Sequence, residues 1–420
     1  MPDVMAHQLL LSDNFPPHVG GSSRWFYELY RRLPHAQQTI VAGTHPEATA
    51  WDAEQPLRIE RLPLRMPHWG VRNAGALRSY VRSWRRLGQL ASELKRRQQV
   101  RPVVHAGRCL PEGWLAWLLS WSHGLTYMVY VHGEDVTTAA TSREYRWMVQ
   151  RVLRRARLVI ANSQNTASIL ARDWRLPASR VQVLYPGVDL QRFCPAPRDE
   201  AFRAQLGWTG RQVILTVGRL QLRKGHDRLI AALAHVRQHN PDVLYAICGD
   251  GEERPNLERL IAEHRLQAHV QFLGEVADDR LRQCYQQCDL FALPNRTVDQ
   301  DIEGFGMVLL EAQACGKPVL AGDSGGTRET LQPGVTGWIA DCAQVDTLQR
   351  ALVEALADSA RLETMGAAAR QWVVEHFDWD ALASEAQILF SELGTPQSRQ
   401  RTDLSPVTAT LPPRAPADVA

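Results

Sequence analysis

Residues 295–311 read NRTVDQDIEGFGMVLLE. Just before them, residues 288–294 (CDLFALP) have the apolar run of a buried strand, which Pro294 bounds. A polar loop follows, carrying Asp299, Asp301 and Glu303. Gly304, Phe305 and Gly306 then open an apolar-periodic helix over 307–315, which Gly316 and Pro318 stop. Glu303 therefore stands just outside a helix N-terminus, and Glu311 lies about two turns along the same helix. The two glycines let a ligand approach the backbone, and a helix N-terminus favours anions. A plainer reading also exists, in which this is a solvated loop followed by a surface glutamate.

Working outward, strand, glycine turn and helix recur at the start of the chain. HQLLLS (7–12) reads as a buried strand, Pro16 to Ser23 as the turn and Arg24 to Tyr30 as the helix. Further strands are expected at 38–42, 102–105, 126–131, 158–161 and 181–184, with helices near 74–97, 112–122, 143–155 and 164–173. After the proline-interrupted linker FCPAP (193–197), strands recur at 213–217, 243–248, 269–272, 289–293 and 318–321. Helices are expected near 226–238, 253–265, 278–287, 306–315 and 344–356. Such alternation predicts an α/β protein with parallel sheets covered on both faces. The expectation is two tandem doubly wound, Rossmann-like modules, 1–195 and 196–377, facing each other across a cleft. A helix over 378–393 is expected to pack back on the first module. The tail 394–420, rich in Pro, Ser and Thr, is expected to be disordered. Ligands of such sheets bind beyond the carboxyl ends of the strands.

Composition narrows the partners. The chain has 420 residues, 45% of them hydrophobic, enough for two or three domains. No 18-residue apolar run is present, and the N-terminus lacks the features of a signal peptide, so a cytoplasmic protein is expected. The seven scattered cysteines fit reduced thiols, and Cys284 and Cys288 lack a second Cys/His pair to hold zinc. Residues 1–195 hold 26 Lys/Arg against 14 Asp/Glu, and the remainder 22 against 31, so charges of +12 and −9 hide behind a net +3. The helix over 77–99 places Arg78, Arg82, Arg85, Arg86, Lys95, Arg96 and Arg97 around an apolar stripe. This is either a solvated face or a basic, Trp-bearing face for anionic lipid headgroups, to which Arg151–Arg157 would add. No nucleic-acid-reading motif is present.

Two bases, Arg219 and Lys224, follow the strand VILTV in RLQLRKG, where a phosphate would meet both cations and a helix N-terminus. His132 ends the strand TYMVYV beside Gly133 and is placed to face the second module; it is otherwise a structural histidine. His105 ends the strand PVVHA and has a weaker claim. Gly249-Asp250-Gly251 is a weak sign of close backbone approach.

In order, the segments GG (20–21), HGED (132–135), NSQNTASIL (162–170), YPGVDLQRF (185–193), VGRLQLRKG (217–225), GDG (249–251), FLGEV (272–276) and EGFGMVLLE (303–311) resemble family 4 of the nucleotide-sugar-dependent glycosyltransferases, which have the GT-B fold. The resemblance runs from about residue 8 to 392. DNFPPHVGG (13–21) and the run 296–326 look most similar to the phosphatidylinositol-mannoside mannosyltransferases, which use GDP-mannose. The resemblance implies that Arg219 and Lys224 neutralise the donor diphosphate, while Gly20 and Gly21 approach it from the other module. It implies that Glu303 holds the sugar hydroxyls beside Gly304 and the amides of Phe305 and Gly306, and that Glu311 binds the ribose. His132 would touch the sugar, and Gly274 and Val276 would lie near the base. It further implies transfer with retention of configuration, without a metal or other cofactor, onto a lipid-linked or glycan acceptor. In keeping with that, no D-x-D ends a strand of the second module. The acids Asp299, Asp301 and Glu303 leave a chance metal contact open. A UDP-sugar donor, a sugar-nucleotide epimerase or phosphorylase of the same fold, and a non-catalytic nucleotide-sugar-binding module are the alternatives.

Overall fold

The computed structural model describes residues 6–393; the expected disordered tail lies outside them. Seven strands form the first sheet: β1 (Gln8–Ser12), β2 (Gln38–Ala42), β3 (Ile59–Arg61), β4 (Val103–Ala106), β5 (Tyr127–Val131), β6 (Leu158–Ala161) and β7 (Val181–Val183). All pair in parallel in the order β3-β2-β1-β4-β5-β6-β7. The second sheet holds β8 (Gln212–Val217), β9 (Val243–Cys248), β10 (Val270–Gly274), β11 (Leu290–Leu293), β12 (Val319–Gly322) and β13 (Gly337–Ala340). It is also all parallel, in the order β10-β9-β8-β11-β12-β13. Central strands such as LLL (9–11) are apolar on both faces because helices cover both sides.

Strand order reverses between β1 and β4 and between β8 and β11. Crevices beyond the carboxyl ends of strands open at such switch points. The segment quoted first follows β11, and RLQLRKG follows β8. Because β8 and β11 are hydrogen-bonded neighbours, with Leu290 opposite Ile214, two loops about 80 residues apart in sequence become adjacent.

The modules share a core. The rings of Tyr185, Phe305 and Phe377 meet with centroids 5.5–5.9 Å apart, joining the linker, the site loop and the end of the second module. Burying an aromatic ring contributes about 1.5–3 kcal/mol, so Phe305 anchors its loop from below. Val188 N donates to Phe377 O at 2.9 Å, placing the two crossings between modules side by side. The helix Trp379–Leu393 then packs on the first module. Phe390 stacks on Tyr30 at 6.3 Å, and Arg32 pairs with Asp380 at 2.6 Å.

Several features depart from the sequence expectations. The first helix spans Gly21–Tyr30, three residues earlier than read, because a Gly-Ser-Ser start is tolerated in a first turn. The strands β3 and β13 and the helix Ser359–His376 were not foreseen. The two strands are three- and four-residue sheet edges. In the helix, Leu362, Met365, Gly366, Ala369, Trp372 and Val373 are buried at helical spacing, a pattern diluted by small residues. His105 does not face the cleft. It is fully buried, with Nδ1 2.7 Å from Tyr30 Oη, and burial pushes its pKa down to about 3, the state of a neutral structural imidazole.

Candidate active site

The loop after β8 presents three bases rather than two. Arg219 is exposed and forms no ion pair among the described residues. Lys224 Nζ and Arg223 Nη1 both lie 2.5 Å from Glu303 Oε2. Arg223 is buried, and its Nε reaches Asp301 Oδ1 at 3.2 Å while its Nη2 lies 3.6 Å from Glu134 Oε2 of the first module. The sequence reading missed Arg223 and Glu134. The available signal was a third base within the same six residues and an acid directly after His132-Gly133.

Electrostatics follow from this geometry. Burial pushes the Glu303 carboxyl up, but Lys224 and Arg223 outweigh it and hold it below the usual carboxylate range. For Asp301 and Glu134 burial wins over Arg223, and both lie above their ordinary values. With Asp301 and Glu303 both engaged by Arg223, the acidic loop faces cations of its own chain. Among the described residues no group of three or more His, Cys, Asp or Glu is placed to hold a metal ion.

The first module clasps the acidic loop directly. Thr137 Oγ1 donates to Gln300 O at 2.7 Å. Gly304 must be glycine, since a Cβ there would stand 2.4 Å from His132 O and 2.9 Å from Asn162 Nδ2. Across the same cleft, Glu329 accepts from the amides of Gln164 and Asn165 at 2.7 and 2.8 Å, at the start of the helix Gln164–Trp174. His132 sits at this seam, with Nε2 2.7 Å from Gly107 O and its ring edge-on to Trp25.

Glu311 is buried in the helix Met307–Ala314, where Tyr285 Oη donates to its Oε2 at 2.7 Å. Burial raises its pKa against the pull of Arg24, the Tyr285 hydrogen bond and Arg192. Both arginines also approach Asp278, at 3.9 and 2.7 Å, two residues beyond Val276. Gly274 ends β10, and its carbonyl accepts from Gly249 N at 2.8 Å, while Asp278, two residues past Val276, is near enough to act on Glu311. On the opposite wall, a Cβ on Gly21 would lie 3.7 Å from Met307 Sδ, which brings the first helix N-terminus over Gly306 and Met307. The structure thus brings together Gly20, Gly21, His132, Lys224, Glu303, Gly304, Gly306 and Glu311 around one cleft, with exposed Arg219 near enough to act on Asp301.

Two facing Rossmann-like modules, with cations and carboxylates gathered between them at the strand ends, define a GT-B glycosyltransferase. A Glycosyltransferase Family 4 model matches residues 19–192 and a Glycosyl transferases group 1 model residues 198–372. The chain belongs to glycosyltransferase family 4. It is 31% identical over 408 residues to a GDP-mannose-dependent alpha-(1-6)-phosphatidylinositol monomannoside mannosyltransferase of Mycolicibacterium smegmatis, covering 93% of this chain and 100% of the relative. A D-inositol 3-phosphate glycosyltransferase of Salinispora tropica is 31% identical over 420 residues, 92% of this chain and 83% of that one. The fold is shared with Anabaena HepE in complex with UDP (22% identity, TM-score 0.76, covering 92% of this chain and 99% of that one).

Proposed function

We propose that this glycosyltransferase moves mannose from GDP-mannose to a lipid-linked acceptor at a membrane surface, with retention of configuration and without a metal ion. The carrying observation is the Lys224–Glu303 pair at the cleft, beside exposed Arg219. Cleaving the bond between sugar and diphosphate leaves negative charge on the phosphate and an oxocarbenium-like sugar. Arg219 and Lys224 are the cations available to stabilise the departing diphosphate, and losing one such preorganised donor costs about 10²–10³ in rate. Once the incoming phosphates draw Lys224 away, Glu303 is free to accept from sugar hydroxyls, and Glu311 from the ribose. The acceptor hydroxyl attacks on the face the diphosphate leaves, and its proton passes to that phosphate.

Support for the donor comes from the mycobacterial-type relatives whose names specify GDP-mannose, 31–32% identical over more than nine-tenths of this chain. A membrane-bound acceptor is supported by one face of the first module. The helix Ala74–Gln98 neighbours Trp114–Ser122, which neighbours Arg143–Arg155. Their outer surfaces expose Arg78, Arg82, Arg85, Arg151 and Arg155, with Arg155 over Trp121 and Arg151 over Trp147, the two tryptophans 64% and 43% exposed. Bases at an anionic surface contribute about 1 kcal/mol each. No helix among the described residues is long and apolar enough to cross a membrane, so the contact is peripheral on this reading.

The test is thermal-shift titration with GDP, UDP and their sugars, followed by transfer of labelled mannose to phosphatidylinositol-type lipid or to inositol phosphate in the presence of EDTA. A tight donor raises the melting temperature by mass action. Stabilisation by GDP over UDP and labelled lipid formed in EDTA are the expected results. Stabilisation by UDP alone overturns the donor; labelling of inositol phosphate and not of lipid overturns the acceptor; EDTA-sensitive transfer overturns metal independence.

A further inference from the structure

Both Arg223 and Lys224 reach the same oxygen of Glu303, Oε2, and among the described residues no donor reaches Oε1. The two cations differ in what else holds them. Lys224 Nζ has Glu303 as its sole ion-pair partner among the described residues. Arg223 is buried, and each edge of its guanidinium meets a carboxylate: Asp301 through Nε, Glu303 through Nη1 and Glu134 through Nη2. Its backbone is fixed as well, because Arg296 N donates to Arg223 O at 2.8 Å. An incoming diphosphate can draw Lys224 away, while Arg223 stays where it is.

Glu134 comes from the opposite module, in the first turn of the helix Glu134–Ala140 directly after His132 and Gly133. Its carboxylate meets Arg223 only while the modules are together, and it is the third arm that stops the guanidinium from turning. We infer that Arg223 is a positioning residue which, braced across the cleft by Glu134, holds the Glu303 carboxylate in place with Oε1 turned to the sugar, and so ties domain closure to readiness of the site. This rests on the active-site reading above. The charged groups facing Glu303 are Lys224 and Arg223 from the loop after β8, Asp301 from its own loop, and Glu134 from the first module; Arg219 acts on Asp301 and His132 lies beside Glu134. Removing Arg223 takes away one of the two cations that lower the Glu303 pKa, so the acid limb of kcat moves to higher pH.

The experiment compares R223Q, R223K, E134Q and E303Q, measuring kcat, the KM for GDP-mannose and the pH profile of kcat. R223Q is expected to lower kcat about 10²-fold, the low end of what losing one preorganised charge contact costs, with donor KM within about threefold and the acid limb displaced upward. R223K keeps the charge, so the acid limb returns to its wild-type position while kcat recovers only in part. E134Q, on a half-exposed side chain, is expected to lower kcat about tenfold at unchanged donor KM, since it removes an interaction made on closure. Wild-type kcat and pH profile in R223Q, or wild-type kcat in E134Q, overturns the inference. Should R223Q fail to fold, E134Q and R223K decide. An inactive E303Q beside fully active R223Q and E134Q sinks the positioning role alone, whereas an active E303Q sinks the active-site reading itself.

Discussion

Lys224 Nζ lies 2.5 Å from Glu303 Oε2, so the two side chains neutralise each other's charge. Glu303→Gln weakens that pair and leaves Lys224 available to phosphate. GDP affinity should then hold or rise, while kcat falls by about 10²–10³ through loss of the hydroxyl acceptor. Calorimetric titration with GDP beside labelled-mannose turnover checks this; weakened GDP binding at near-normal kcat would reverse the assignment.

Tyr285 fixes Glu311 through a hydrogen bond to a charged group, worth about 1.5–3 kcal/mol. Tyr285→Phe removes one of the contacts that oppose burial, so the Glu311 pKa climbs further. GDP binding should weaken about three- to tenfold, read as an increase in Kd, and more steeply at low pH. A variant that binds GDP as the wild type does would place the ribose elsewhere.

Gly225 joins Lys224 to the helix His226–His239 at φ +76°, and a Cβ there would stand 1.8 Å from Pro294 O. Both conformation and space forbid a side chain. Gly225→Ala should destabilise the protein by more than about 2 kcal/mol and displace Lys224. Denaturant midpoints measured for both proteins test the claim.

Glu385 lies on the final helix, with Oε1 buried and unpartnered among the described residues, and burial pushes its pKa up to about 7 from the ordinary 4.5. Between those values the folded protein binds the extra proton. Its contribution is therefore whole below about pH 4.5 and lost as pH rises through 7. Partial solvent access trims the effect, so Glu385→Gln should stabilise the protein by about 1 kcal/mol at pH 8 and by less at pH 5.5. Melting curves at the two pH values decide; equal gains at both would point to a cause other than titration.

Arg155 lies 3.8 Å over the Trp121 ring and Arg151 lies 5.2 Å over Trp147, pairing charge with exposed aromatic surface. Replacing both tryptophans by Ala should lower partition onto phosphatidylinositol-containing vesicles about tenfold, and raising salt should release the wild type. Cosedimentation gives the answer; unaltered partition would return this face to a merely solvated one.

Much of this was readable before any coordinates. Doubly wound order makes strand ends into site positions, so residues after VILTV and CDLFALP could be assigned to one cleft from sequence alone. The network of Arg223 could not, because it depends on which side chains converge from Glu134, Asp301 and Glu303, and sequence spacing does not encode that convergence. The strands β3 and β13 are too short and too peripheral to show a period. The helix Ser359–His376 did leave a trace in its buried positions, blurred by Gly366 and the alanines after it. His105 had the weaker claim of the two strand-terminal histidines, and its ring faces Phe390 rather than the cleft.

The hydrogen bond between Val188 and Phe377 has a mechanical meaning. The polypeptide runs through Val188 just ahead of the linker that crosses between the halves and returns beside the same point at Phe377, like a door hung on two adjacent pins. Sliding or twisting one half against the other would part the Tyr185, Phe305 and Phe377 rings. A chain cut before Trp379 would keep that hydrogen bond but lose Phe390, uncovering the Tyr30 and His105 rings that it packs against.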